Sequence, residues 1–239
     1  MRIDIVTLFP KMLEDALSHS MIGRAQQNGL VQVVMTDPRT FTHDNHRSVD
    51  DRSYGGGPGM VMMAPPIEAA LDSLELGREP TPVPVVLTDA AGVPFRQKHA
   101  RELASVQRFV LVCGHYEGTD ERVRTKLCTH AFSIGDFVLT GGELPSLMIV
   151  DAVVRLLPGV LGDPLSHEDD SYEEGLLGHP LYTRPVEFQG EPVPEVLLKG
   201  NHKEIAKWKR AQSLQRTRET RPDLFVGAQL TAEDVDLLK

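Results

Sequence analysis

Ser133-Ile-Gly-Asp-Phe-Val-Leu-Thr-Gly-Gly-Glu-Leu-Pro145 is the stretch on which the reading of this chain turns. It holds three glycines, the carboxylates Asp136 and Glu143, and the apolar triplet Phe137-Val138-Leu139. Glycine permits positive φ and close backbone approach. The stretch therefore reads as loop, short strand, loop and helix start, with Leu144-Pro145 opening the helix. Such a ribbon can wrap a small ligand with main-chain groups, or it can be an ordinary tight connection in an α/β sheet. Taken alone, the stretch weighs the two readings equally.

Working outward, Arg2–Leu8, Leu30–Met35, Met60–Met63, Val83–Thr88 and Arg108–Cys113 read as strands. Helical patterns separate them. One starts near Pro10, a proline suited to a first turn, and a second stops at Asn28-Gly29. Others cover Pro65–Leu76 and Gln97–Ser105, and Ala91-Gly92 reads as a turn. Strands alternating with helices predict an α/β fold, a mostly parallel sheet with helices on both faces. Gly114-His115-Tyr116-Glu117-Gly118 follows a strand, and open α/β sheets bind ligands at the carboxyl ends of their strands. Downstream, Pro145–Leu157 predicts a helix stopped by Pro158-Gly159. Asn201 and Glu204 form a capping-box pattern at the start of another, and Thr231 caps a last short one.

The chain has 239 residues, room for one large or two modest domains. Its 41% hydrophobic and 25% charged residues are ordinary for a globular protein. No apolar run is long enough to span a bilayer, and no secretory leader is expected. Cys113 and Cys128 lack Cys-x-x-Cys spacing, so reduced thiols and a cytoplasmic location are expected rather than a disulfide framework or a thiolate zinc site. The net charge of −9 argues by itself against a nucleic-acid partner. Its distribution reverses that argument. Val196–Arg221 holds eight Lys/Arg against two Glu, whereas Asp163–Glu195 holds nine acids against Arg184 alone. A basic surface therefore lies beside an acidic one in sequence.

Five stretches are candidates for chemistry. His43-Asp44-Asn45-His46 with Asp50-Asp51 has metal-ligand residue types, but on spacing alone a solvated loop is the commoner outcome. Gly55–Gly59 lacks the Lys-Ser/Thr of a phosphate loop, so close packing against a ligand or partner chain is its better functional reading. Glu117, at a strand end, either binds ligand or caps a helix at Asp120. His167–Tyr172 clusters carboxylates, which raise one another's pKa and so supply a general base, although most acidic runs are only solvated. The basic helix 202–218 sets Ile205 and Trp208 on one face and Lys203, Lys207 and Arg210 on the other, an arrangement that suits a phosphate backbone.

Together these motifs resemble a known family. Cys113–Gly118, Ser133–Pro145, Pro158-Gly159-Val160-Leu161-Gly162, Asp170-Ser171, Tyr182-Thr183-Arg184-Pro185 and Leu198-x-Gly200-Asn201-His202 are similar to the bacterial tRNA (guanine-N1)-methyltransferases. So is Tyr54–Met60, after His43-x-x-His46-Arg47 and Asp50-Asp51-Arg52. The resemblance runs in order from Arg2 to the last helix.

The resemblance implies a SPOUT-type α/β fold with a deep trefoil knot, a feature that ordinary connection rules would never yield. It implies a knotted cofactor-binding domain over 1–160, a flexible linker over 161–178 and a small helical tRNA-binding domain over 179–239. It further implies a homodimer with an active site shared between subunits. S-adenosylmethionine is the implied methyl donor, held by Gly114, Glu117, Ile134, Gly135, Asp136, Phe137, Val138, Leu139, Gly141 and Gly142. The implied target is N1 of the guanine immediately 3′ of the anticodon in tRNA. Asp170 matches the family's general base and Arg155 its catalytic arginine, with Glu168 and Asp169 expected to raise the base's pKa. Asp50 and Gly59 are expected to seat the target base, and Lys203, Lys207 and Arg210 to meet tRNA. Magnesium is implied by family behaviour, and nothing in the chain locates its ligands. His115 stands where the family pattern has Arg, and Thr119 where an aliphatic is usual. Two rivals remain, a non-catalytic RNA-binding protein and a knotted methyltransferase acting on another RNA or at ribose. Loss of Asp170 or Arg155 would favour the first, and a reaction needing no base at a ring nitrogen would favour the second.

Overall fold

The computed structural model describes residues 1–162 and 170–239. The chain divides into two units, Met1–Gly162 and Asp163–Lys239. In the first, strands β1 (Arg2–Val6) and β2 (Gln32–Thr36) bracket helices α1 (Pro10–Ser18) and α2 (Ser20–Gln27). A two-stranded ribbon, β3 (Asp50–Asp51) and β4 (Val61–Met62), then leads into α3 (Ala64–Ser73). The remaining elements are β5 (Val85–Pro94), α4 (Gln97–Ala104), β6 (Arg108–Cys113), β7 (His130–Ser133) and α5 (Glu143–Val154). Five strands form one sheet in the order β2-β1-β6-β5-β7, every neighbouring pair parallel.

Strand alternation explains why the sheet is covered twice. Ile3, Ile5, Phe109, Leu111 and Cys113 pack with Leu13, Ala100 and Ile149 from α1, α4 and α5. The intervening Val6, Val110 and Val112 pack on the opposite side with Ile67, Ala70 and Leu71 of α3. Every residue of β6 is buried, the pattern of a central parallel strand.

Three local expectations are corrected. Ala91-Gly92 is not a turn, because β5 bulges between Thr88 and Val93 and continues alongside β7. A Cβ on Gly92 would lie 2.6 Å from the Phe132 backbone, so this glycine serves close strand approach. Phe137–Leu139 is no strand, and its side chains are exposed. Finally, α5 begins at Glu143 rather than Pro145. Proline fits the first helical turn because the amides there have no intrahelical partner.

Asp4, the acid inside the first strand, is fully buried. Arg108 Nε donates to Asp4 Oδ2 at 2.8 Å, and its Nη1 donates to Glu79 Oε1 at 2.8 Å. Its Nη2 donates to the Leu74 carbonyl at 3.0 Å, and Arg2 Nη2 donates to Asp4 Oδ1 at 2.7 Å. Burial opposes the charge on Arg108, but the hydrogen bonds to Asp4 and Glu79 outweigh it and raise its pKa.

The second unit contains a hairpin of β8 (Glu187–Phe188) and β9 (Glu191–Pro192), then α6 (Glu195–Leu198), α7 (His202–Thr220), α8 (Pro222–Gly227) and α9 (Ala232–Leu237). Asn201 caps α7 by accepting from the Glu204 amide at 3.4 Å. Thr231 and Asp234 form a reciprocal box on α9. Among the described residues no helix is long and apolar enough to cross a membrane.

Replacing one member of a buried ion pair strands the other charge, at a cost of about 3–5 kcal/mol. Arg108→Ala is therefore expected to lower the urea-denaturation midpoint by a corresponding amount. An unchanged midpoint would remove the pair from the account of the core.

Candidate functional site

A cleft opens among the ends of β6 and β7, the bulge of β5 and the loop before α5. Its walls are Thr88–Ala90, Gly114–Thr119, Phe132–Ile134, Phe137–Gly142 and Pro145. Of the residues expected at a cofactor, Gly114, Glu117, Ile134, Phe137, Val138, Leu139, Gly141 and Gly142 line it, and Gly135 and Asp136 do not. Thr88, Asp89, Ala90 and Phe132 also line it without having been expected there, and Thr119 was expected only as a departure from the family pattern. Asp89 and Ala90 reach the cleft at the bulge of β5, just past Thr88, and no sequence signal marks the bulge.

The glycines have steric reasons. The Gly142 amide donates to the Gly114 carbonyl at 2.7 Å. A Cβ on Gly142 would lie 2.1 Å from Thr88 Oγ1 and 2.8 Å from the Gly114 nitrogen. One on Gly141 would meet Glu143 Oε2 at 2.4 Å and His115 Nδ1 at 2.5 Å. Behind this junction the buried Glu143 carboxylate begins α5, where the helix dipole favours a negative charge, and accepts from Thr7 Oγ1 at 2.8 Å. Burial, with Glu143 adding to it, pushes the Cys113 thiol up to about 12. Burial alone does the same for Cys128. Neither cysteine is built as a nucleophile.

The glycine-rich turn packs against Glu117, a residue of the cleft wall. Gly59 has φ +77°, the left-handed region that glycine occupies without strain, and a Cβ there would meet Glu117 Cγ at 2.3 Å. The Glu117 amide donates to the Met60 carbonyl at 3.0 Å. Burial, then the hydrogen bond to Asp50, push the Tyr116 phenol up. Asp50 and Gly59 thus stand beside Tyr116 and Glu117. His115 Nδ1 is buried and makes no hydrogen bond among the described residues, and the ring packs edge-on to Phe9 and Tyr116.

Arg155 lies elsewhere in this unit, as the C-cap residue of α5. Pro145 of the same helix lines the cleft, and the helical rise from there to Arg155 is about 15 Å. In the second unit, Asp170 lines a cleft against α7 with Lys209, Arg210 and Ser213. Glu168 and Asp169, expected to tune it, lie outside the described residues. Lys203 and Lys207 are exposed on α7. Arg210 differs from them. Its Nε and Nη2 donate to the buried Asp234 at 2.7 and 2.9 Å, and its Nη1 donates to Glu174 at 2.6 Å. These bonds to Arg210 hold the Asp234 carboxyl well below the usual carboxylate range. Among the described residues no group of three or more His, Cys, Asp or Glu gathers to hold a metal ion. The described residues therefore give magnesium no built site.

A parallel α/β sheet with a cleft at its strand ends is the arrangement in which open α/β folds hold small ligands. The family model of tRNA (Guanine-1)-methyltransferase TrmD matches residues 1–227, and the chain belongs to that family. It is 52% identical over 239 residues to the tRNA (guanine-N(1)-)-methyltransferase of Pelotomaculum thermopropionicum, covering 100% of this chain and 95% of that protein. It is 50% identical over 234 residues to the enzyme of the same name from Moorella thermoacetica, covering 98% and 94%. For that of Geobacter sulfurreducens the identity is 49% over 238 residues, covering 100% and 96%. The methyltransferase family implies S-adenosylmethionine as methyl donor.

Gly142→Ala drives a methyl group into backbone on the opposite loop and must part the two walls. S-adenosylmethionine affinity, read by calorimetry, is expected to fall on the order of tenfold or more, about 1.4 kcal/mol. Unchanged affinity would place the cofactor elsewhere.

Proposed function

We propose that this protein transfers a methyl group from S-adenosylmethionine to N1 of the guanine immediately 3′ of the anticodon in tRNA, in the cytoplasm and as a homodimer. One observation carries the reading: a chain matched to the family over residues 1–227 forms its cleft from the loops whose motifs carry the family resemblance. The cleft suits S-adenosylmethionine because Gly141 and Gly142 leave main chain, without side chains, along one wall. When bound, the cofactor supplies a sulfonium-activated methyl group.

The chain's own residues divide the remaining tasks. N1 of guanine carries a proton at neutral pH, and Asp170 accepts it as the methyl arrives. Charge then builds on O6, where the Arg155 guanidinium stabilises it. Tyr116 lines the cleft, Asp50 and Gly59 stand beside Tyr116 and Glu117, and together they seat the target base. Lys203 and Lys207 meet tRNA phosphates. Arg210 is engaged with Asp234 and Glu174, so its part is to hold α9 beside this basic face.

The dimer reading is supported by reach. An arginine side chain at the far end of α5 does not span about 15 Å back to Pro145 in its own cleft. A second subunit supplying Arg155 and Asp170 resolves this. Exposed Phe137, Val138, Leu144 and Met148 offer it an apolar face. We also assign the family's deep trefoil knot to the region from β6 to α5, supported by the backbone contact of Gly142 with Gly114. Residues 161–178 are read as the link to a tRNA-binding domain over 179–239.

Incubated with labelled S-adenosylmethionine, a tRNA transcript with guanine 3′ of the anticodon is expected to gain 1-methylguanine. A transcript lacking that guanine should gain none, and equal labelling of both would overturn the reading. Asp170→Asn is expected to abolish turnover while cofactor binding survives. Retained activity would move the base to another residue.

A further inference from the structure

The segment bearing Asp170 has little regular structure of its own, and α7 supplies its hydrogen-bond partners. The Leu177 amide donates to Thr217 Oγ1 at 2.9 Å. Ser213 Oγ donates to the Leu177 carbonyl, and Arg216 Nη1 donates to the Gly178 carbonyl at 3.0 Å. Leu176 is buried, and Thr217 is fully buried. The Thr217 hydroxyl is used twice, because it also donates to the Ser213 carbonyl at 2.7 Å.

The segment closes on itself as well. The Tyr172 amide donates to the Leu176 carbonyl at 2.7 Å, and the Gly178 amide donates to Ser171 Oγ at 2.9 Å. Asp170 is thus followed directly by a residue that is one hydrogen bond from Gly178. Gly178 and Leu177 are in turn one hydrogen bond from α7. Backbone groups that lack ladder partners need such side-chain partners when buried, and each one fixes a point of the loop.

We infer that Thr217 and Ser213 are positioning residues for the reaction, clipping the Asp170 segment to the helix that carries Lys203 and Lys207. Docking of that helix on tRNA then delivers the general base in the same rigid-body movement. This rests on the reading of Asp170 as the base and goes beyond it by naming what holds the base in place.

Thr217→Val keeps the shape of the side chain and removes the hydroxyl, and Thr217→Ser restores it. Both are tested in the full-length enzyme with tRNA transcript and S-adenosylmethionine at saturating concentrations. Thr217→Val is expected to lower the single-turnover rate about tenfold to a hundredfold, the cost of a small misplacement of a reacting group. Dissociation constants for tRNA and cofactor should stay unchanged, and Thr217→Ser should recover the rate. Ser213→Ala should slow the same step with the same affinities. A wild-type rate for Thr217→Val overturns the inference. So does a loss of rate that only follows a loss of tRNA affinity or of melting temperature across the three variants. Asp170→Asn separates the two levels of the argument. If it stays active, the base assignment fails. If it is inactive while Thr217→Val is fully active, only the clip fails.

Discussion

The close approach of Gly142 to the backbone of Gly114 is the constraint on which the site depends. At 2.7 Å between the Gly142 amide and the Gly114 carbonyl, two loops from opposite ends of the β6-to-α5 region touch main chain to main chain. Nothing with a Cβ fits at that junction. Everything nearby follows from it. Gly141 leaves space for the His115 ring and the Glu143 carboxylate, Glu143 accepts from Thr7 at the end of β1, and α5 starts where the loop ends. The cleft is the gap left once these loops are pinned.

Charge is used differently in the two units. In the first, Asp4 and Arg108 are buried against each other and against Glu79, where the removal of either partner costs more than the pair contributes. In the second, Arg210, Asp234 and Glu174 tie α7 to α9 and to the Asp170 segment. Lys203 and Lys207 remain exposed on the same helix. A sequence with a net charge of −9 thereby keeps a local cationic face.

Much of the fold was legible because parallel strands buried on both faces have a plain apolar signature, and Arg108–Cys113 is found as read. Helix ends with capping chemistry, Asn201 and Thr231, were also readable. The failures share a cause. Phe137–Leu139 looks like a strand and is exposed loop, and Ala91-Gly92 looks like a turn and is strand. In both places tertiary contacts override local propensity. Glycine in the sequence signals either a turn or a close approach, and only the fold says which. Most of the cleft was legible through motif resemblance. The contribution of Thr88–Ala90 was not, since a bulge leaves no periodic trace. Arg210 looked like a free cation because its partner Asp234 lies 24 residues away, beyond any helical spacing.

The central proposal is that the two pinned loops, with the neighbouring bulge of β5, hold the methyl donor. Amide hydrogen exchange with and without S-adenosylmethionine addresses it segment by segment. The account predicts slowed exchange confined to Gly114–Thr119, Ile134–Gly142 and the neighbouring Thr88–Ala90, with α7 unchanged. Protection centred on α7 or on the β8–β9 hairpin, with these loops unaffected, would contradict it.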